Sequence, residues 1–228
     1  MKRSEINQAI VIAKEALKAI SFQLPYFAEW GIKEWKSNQD KIANIEEVML
    51  GWDVTDFGSD DFAHIGAVLF TIRNGNLYND KAGVPYCEKI IVLQEAGGQV
   101  IPFHYHSNKT EDIINRGNGV MVIELYQSTE DGRLDTESEV AVFMDGIKYM
   151  VKPGELIEIL PGNSITLTPG LYHRFGAKKG AGNLVVGEVS KINDDNTDNV
   201  FAEEQKRFSD IIEDEPILHP LCNEYQKL

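Results

Sequence analysis

Residues 99–117 read QVIPFHYHSNKTEDIINRG. Its first half, 99–106, has the texture of a strand that follows the Gly97-Gly98 turn. A short polar loop separates it from a second extended run, 111–116. Alternate side chains of a strand share a face, so His104 and His106 point the same way, one pleat apart. Two imidazoles so placed suit one metal ion. Glu111 opens the next run and can add a carboxylate from across the turn.

The same texture extends in both directions. On the N-terminal side, GAVLFTIR (66–73) ends at Asn74-Gly75 and CEKIIVLQ (87–94) ends at Gly97-Gly98. On the C-terminal side lie VMVIELY (120–126), EVAVFM (139–144), IKYMV (147–151) and ELIEIL (155–160), then SITLT, LYHRFG and NLVVGEVSKI. Asp145-Gly146 is a two-residue hairpin signal. Short strands in close succession, without intervening helices, predict a mainly β antiparallel sandwich or barrel.

The flanks differ. Ile6, Ile10, Ala13, Leu17 and Ile20 draw one stripe along a helix, with Ser4 as its N-cap and Pro25 as a break. A second helix is expected over 40–50, with Ile42, Ile45, Val48 and Met49 on one face and Gly51 as its C-terminal glycine. From 194 the chain is acidic and then returns to an apolar patch, PILHPLCNEY, that suits docking on the barrel. One domain is expected: a helical extension at 1–58, a barrel at 60–192 and a C-terminal extension at 193–228.

With 228 residues, 43% of them hydrophobic, a sizeable core is affordable. The net charge of −14 argues against a nucleic-acid surface and against anionic membranes. No apolar run approaches the roughly 18 residues of a membrane span. Lys2-Arg3 precedes an apolar stretch, but Glu5, Lys14 and Glu15 interrupt it and no small-residue cleavage site follows. A cytoplasmic protein is expected, with Cys87 and Cys222 as thiols.

Of five histidines, His173 lies in a strand behind Pro169-Gly170 and can complete the set with His104, His106 and Glu111. Three imidazoles and a carboxylate suit divalent Mn, Fe, Co, Ni or Zn. An octahedral ion would keep two positions open, whereas tetrahedral zinc would be closed. His64 and His219 lack partners at ligand spacing and read as structural or surface residues. Trp30, Trp35 and Trp52 read as core.

Gly98-x5-His104-x-His106-x4-Glu111 resembles the first cupin motif. The glycine expected after six intervening residues is displaced, with five residues between Glu111 and Gly117 and seven between Glu111 and Gly119. Gly162, Gly170 and His173 resemble the second motif, with Thr168 in place of its proline, Pro169 one position late and Ala177 in place of its asparagine. The resemblance implies a cupin jelly-roll barrel over about 60–190. LGWDVTDFG (50–58), LFTIRNG (69–75), HYHSNKTEDIINRG (104–117), PGLYH (169–173), GEVS (187–190) and EDEP…LCNEY (213–225) together resemble the D-lyxose isomerase family of cupin sugar isomerases over nearly the whole chain. That family implies one manganese-type divalent ion per subunit, with zinc, cobalt, iron or nickel as substitutes. It also implies interconversion of D-lyxose and D-xylulose, action on D-mannose and D-fructose, and a homodimer.

An aldose–ketose isomerase needs a group that moves a proton between neighbouring carbons. Glu111 is one candidate. Glu188 is another, with Val186 and Ser190 on its face and the resemblance placing GEVS beside the ligands. Lys109 lies between ligands and so near the ion, where it can bind sugar hydroxyls or protonate O1. In EKIIVL, Lys89 and Glu88 point to opposite faces, so one charge faces inward, and Lys89 is a candidate for binding substrate. Glu215, in the acidic cluster 213–215, can cap the pocket from the tail, although such runs are ordinarily solvated. Competing readings are a cupin isomerase of sugar phosphates, using Lys109, Arg116 and Arg174, an iron dioxygenase, and a sugar-binding or storage cupin. Residues 194–215 hold nine acids and two bases, half of the chain's net charge, which favours a neutral monosaccharide.

Overall fold

The computed structural model describes residues 1–194, 197–206 and 208–228. Helix α1, Arg3–Ala19, buries the expected stripe of Ile6, Ile10, Ala13 and Leu17. Its N-cap is Lys2, not Ser4. Ser4 is instead one residue inside the helix, and its backbone N–H and hydroxyl donate to Asp214 at 2.9 and 2.7 Å. The tail acids therefore supply the negative charge that a helix N-terminus favours. Pro25 precedes a single 3-10 turn, Tyr26–Glu29.

The helix expected over 40–50 is shorter. It consists of α3, Ala43–Glu47, which follows α2, Ile32–Ser37. The left-handed position after this helix belongs to Met49, at φ 53°, and not to Gly51 as expected. Gly51 opens strand β1, Gly51–Thr55, so the 1–58 extension is not wholly helical. All five residues of β1 are buried. Both its faces are covered, which removes the alternation that marks a strand. Gly51 is required there: its φ is 113°, and a Cβ would collide with the hydroxyl of Tyr225, which donates to the Leu50 carbonyl at 2.8 Å.

The remaining strands are β2 (Ala67–Gly75), β3 (Gly83–Leu93), β4 (Val100–His106), β5 (Glu111–Gly117), β6 (Met121–Ser128), β7 (Leu134–Asp135), β8 (Val140–Met144), β9 (Ile147–Val151), β10 (Ile157–Ile159), β11 (Ser164–Leu167), β12 (Leu171–Ala177), β13 (Leu184–Ser190) and β14 (Asn199–Phe201). Of these, β7 and β14 were not expected from the pattern. Among the described residues they form two antiparallel sheets, β1-β2-β3-β13-β5-β11-β8-β9 and β10-β6-β12-β4-β14, with β7 beside β6. Asp145 and Gly146, at φ 50° and 81°, form the hairpin turn joining β8 and β9.

The chain is mainly β, a barrel of curled antiparallel sheets with helices at its N-terminus. Ile91, Ile113, Leu125, Ile165 and Phe175 fill the space between the sheets. A second apolar layer, including Ile10, Trp35, Trp52 and Phe70, joins the helices to the outer face of β1–β3. Burying one large aliphatic or aromatic side chain stabilises a fold by about 1.5–3 kcal/mol, so these layers hold the sheet from both sides. The C-terminal segment docks as expected: Cys222 N–H donates to the Trp52 carbonyl at 2.7 Å, and Trp35 stacks on Tyr225 at 4.1 Å between ring centres. Cys87 and Cys222 are buried and form no disulfide. Among the described residues, no helix is long and apolar enough to cross a membrane.

Candidate metal centre

His173 on β12 pairs in register with His104 on β4, which brings their ring centres within 4.1 Å. His106 lies two residues further along β4, 5.2 Å from His104 between ring centres. The three rings are buried, and one nitrogen from each lies within 4.8 Å of the others. The turn before β12 is anchored to the same strand. Gly170, at φ 77°, donates its N–H to the His106 carbonyl at 3.0 Å.

Contacts on the far side of each ring set the direction of the free nitrogens. Nδ1 of His104 lies 2.8 Å from the Pro102 carbonyl, and Nδ1 of His173 lies 2.9 Å from the Leu171 carbonyl. Those carbonyls accept only if Nδ1 carries the proton, which leaves a lone pair on each Nε2. Nε2 of His173 is buried without a hydrogen-bond partner. A buried acceptor left so is costly unless something else fills its lone pair. Burial, with His173 and His106 beside it, holds the His104 pKa well below 6.5 and keeps the ring neutral. Three imidazole nitrogens converging on one point are a donor set that a divalent ion takes, so the cluster can hold a metal ion.

Glu111, the first residue of β5, faces the cluster. Its Oε1 lies 3.2 Å from His106 Nε2 and 3.4 Å from His173 Nε2. Its Oε2 accepts from Lys109 Nζ at 2.9 Å. Burial alone would raise the Glu111 pKa, but His106 and Lys109 hold it well below 4.5. Burial likewise opposes charge on His106, yet Glu111 and Asp198 outweigh it and raise its pKa above 6.5.

On β13 the inward face carries Val186, Glu188 and Ser190, all buried, while Val189 is exposed. Glu188 pairs across the sheet with Lys89 on one side and Ile113 on the other. Its Oε1 accepts from Lys109 Nζ at 3.0 Å and lies 3.6 Å from Lys89 Nζ. Of the two charges Lys89 is the one that points inward, while Glu88 pairs with Arg73 on the outer face. Two ammonium groups face two carboxylates inside the barrel, an arrangement in which buried charge is tolerated. Burial pushes the Glu188 pKa up, and Lys109 and Lys89 pull it below 4.5.

Glu215 does not join the others. It is exposed, and it accepts from the side-chain amide of Asn7 on α1 at 3.2 Å. The expectation that the 213–215 cluster caps the pocket is corrected: those acids hold the start of α1, where opposite charge and donors await them. Arg174 turns to Glu124 on neighbouring β6 and lies over the Phe103 ring at 4.6 Å. His64 is exposed and pairs with Asp61, and His219 contacts the Trp30 carbonyl at 2.9 Å.

Asp198 and Asn193, from the tail, belong to the site and carry no spacing signal in the sequence. The register of β14 against β4 sets Asn199 opposite His106. That brings Asp198 Oδ2 to 3.3 Å from His106 Nδ1, while Oδ1 accepts from the Asn108 N–H at 2.7 Å. Asn193 Oδ1 accepts from Lys109 Nζ at 3.0 Å. The acidic tail is therefore part of the centre through Asp198. Its Asp195, Asn196 and Arg207 lie outside the described residues.

An antiparallel β-barrel with a metal-competent histidine cluster, and with paired carboxylates and ammonium groups beside it, has the parts that a metal-assisted sugar isomerase needs. The D-lyxose isomerase family model matches residues 1–225. A D-lyxose/D-mannose isomerase of Serratia proteamaculans is 41% identical over 227 residues, covering 99% of this chain and 98% of the relative. A protein of the same description from Escherichia coli O157:H7 is 41% identical over 230 residues, covering 100% and 99%. The chain belongs to the D-lyxose isomerase family and is a sugar aldose–ketose isomerase. Among solved structures, the L-ribose isomerase of Cellulomonas parahominis superposes with a TM-score of 0.59 at 15% identity, covering 93% of this chain and 98% of the other. That of Acinetobacter sp. DL28, in complex with L-ribose, gives 0.59 at 14%, covering 92% and 98%. These two share the fold.

Proposed function

We propose that the chain interconverts D-lyxose and D-xylulose, and also D-mannose and D-fructose, with one divalent ion per subunit held by His104, His106, Glu111 and His173. Manganese is the first choice, with zinc, cobalt, iron and nickel as substitutes. The observation that carries the metal reading is the buried, unpartnered Nε2 of His173 within a convergent triad. The names of the 41% identical relatives support the substrates.

When bound, the ion supplies a Lewis acid that polarises a carbonyl and stabilises negative charge on neighbouring oxygens. Glu188 is the proton shuttle. Lys109 and Lys89 keep it ionised, so it can take the proton from one sugar carbon and return it to the next on the same face. Lys109, between Glu188 and Glu111, donates to the sugar oxygen that gains charge, and Lys89 orients Glu188 and reaches a substrate hydroxyl. Ile91, Ile113, Phe175 and Phe201 line the cavity and limit water around the proton in transit. Glu111 remains a second candidate for proton transfer.

We also carry the homodimer and the cytoplasmic location as proposals from the family. Phe143 and Met150, exposed on one face of the β8–β9 hairpin, offer apolar surface for a dimer contact, and the unbridged cysteines agree with a reducing compartment. The test of the reaction is incubation with D-lyxose in D₂O. D-xylulose is the expected product, and any deuterium at the transferred position marks a proton that passed through an exchangeable group. Absence of ketose contradicts the substrate, and undiminished ketose formation by Glu188→Gln contradicts the Glu188 shuttle.

A further inference from the structure

The cavity at the metal centre has a volume of about 60 Å³. Small-molecule sites run from roughly 300 to 1,000 Å³, so this space takes the reacting end of a sugar and little more. A second cavity of about 320 Å³ lies beside it. Asn193 lines both. The strands show how they are related. On β2, Leu69 lines the first and Thr71, two residues further on the same face, lines the second. On β13, Glu188 lines the first, and the chain leads on through Ile192 to the second. The larger cavity therefore meets the first at Asn193, beyond Thr71, and reaches out to the helical and C-terminal layer, where Val48, Met49 and Cys222 line it.

Its chemistry is specific. Thr71, Thr197 and Asn193 present hydroxyl and amide groups, and the charged residues among its described lining are Glu47 and Asp194. Carboxylates and amides pair well with neutral hydroxyls, whereas two like charges repel a phosphate. Asn193 is fixed at the junction: Asn74 donates its side-chain amide to the Asn193 carbonyl and accepts from the Asn193 N–H, both at 3.0 Å. With its backbone clamped, the Asn193 side chain holds Lys109.

We infer that this second cavity is the subsite for the non-reacting end of an unphosphorylated sugar, reading the hydroxyls beyond the reacting carbons and setting the accepted chain length. The inference rests on the isomerase reading for the position of the reacting end. Binding of D-arabinitol and D-mannitol, which cannot isomerise, tests it in the metal-loaded protein by titration calorimetry. Thr71→Val should weaken both polyols about fivefold, the loss expected for one hydrogen bond. Leu77→Trp, at the exposed rim, should weaken D-mannitol about tenfold more than the shorter D-arabinitol. D-mannose 6-phosphate should bind at least about tenfold more weakly than D-mannitol. Wild-type protein that binds neither polyol overturns the subsite, as do two folded variants with unchanged affinities or tight binding of the phosphorylated sugar. Polyol binding as expected, without turnover of any free aldose, overturns the isomerase substrate and leaves the subsite standing.

Discussion

Glu188 is kept charged inside a barrel by two lysines, and its value as a shuttle depends on that charge. Glu188→Gln preserves size and keeps one acceptor for Lys109, but it cannot carry a proton. It should lower kcat by about 10²–10⁴-fold and leave the metal content unchanged, read by steady-state kinetics beside metal analysis. Asp198 acts differently, through His106. Loss of a carboxylate behind a ligating imidazole costs roughly 10–100-fold in metal affinity. Asp198→Asn should weaken Mn²⁺ binding by that factor in a direct titration, and an unchanged affinity would sink its positioning role. The two residues also differ in legibility. Glu188 sits in a strand that is buried almost throughout, so its residues alone left solvent or barrel open, and only the resemblance placed it beside the ligands. Asp198 reaches His106 only because β14 pairs with β4, and a three-residue strand in an acidic tail leaves no periodicity to read.

At the scale of elements, α1 and the C-terminal segment hold one another. Arg3 is fully buried and binds Glu213 and Glu224. Arg3→Ala leaves Glu224 buried without its cation, a loss that costs about 3–5 kcal/mol. Urea unfolding should show it, and a change under about 1 kcal/mol would argue that the clamp is ornamental to stability. The clamp also has a pH signature. The hydrogen bond from Arg3 holds the Glu213 pKa below 4.5. A carboxylate with a lowered folded pKa adds stability above its unfolded value and loses it as pH falls through the folded one. Glu213→Gln should therefore flatten the acid side of the stability profile below about pH 4.5 and leave its slope near neutrality alone. The helix stripe and most strands were legible because one face of each is buried. Strand β1 was not, since α1 covers one face and the barrel the other. The acids at 213–215 carried a legible charge but no legible address, because their partners stand more than 200 positions away in sequence.

At the scale of the molecule, the centre draws on β3, β4, β5, β12 and β13, and on the tail. The proposed ligands come from three strands, β4, β5 and β12, which belong to both sheets, so metal binding should report on the barrel. Chelation should lower the unfolding midpoint of the metal-loaded protein, by an increment that grows with free metal concentration. His104→Ala should abolish that increment and retain the barrel's circular dichroism. The net charge of −14 takes a more definite meaning here. Part of it braces the first helix, and one carboxylate, Asp198, supports a ligand. Metal dependence is the central claim. Protein stripped with a chelator, dialysed and titrated with Mn²⁺ should form D-xylulose from D-lyxose in proportion to added metal and plateau at one ion per chain. Full activity in the stripped protein, or a plateau that His173→Ala leaves unchanged, would contradict it.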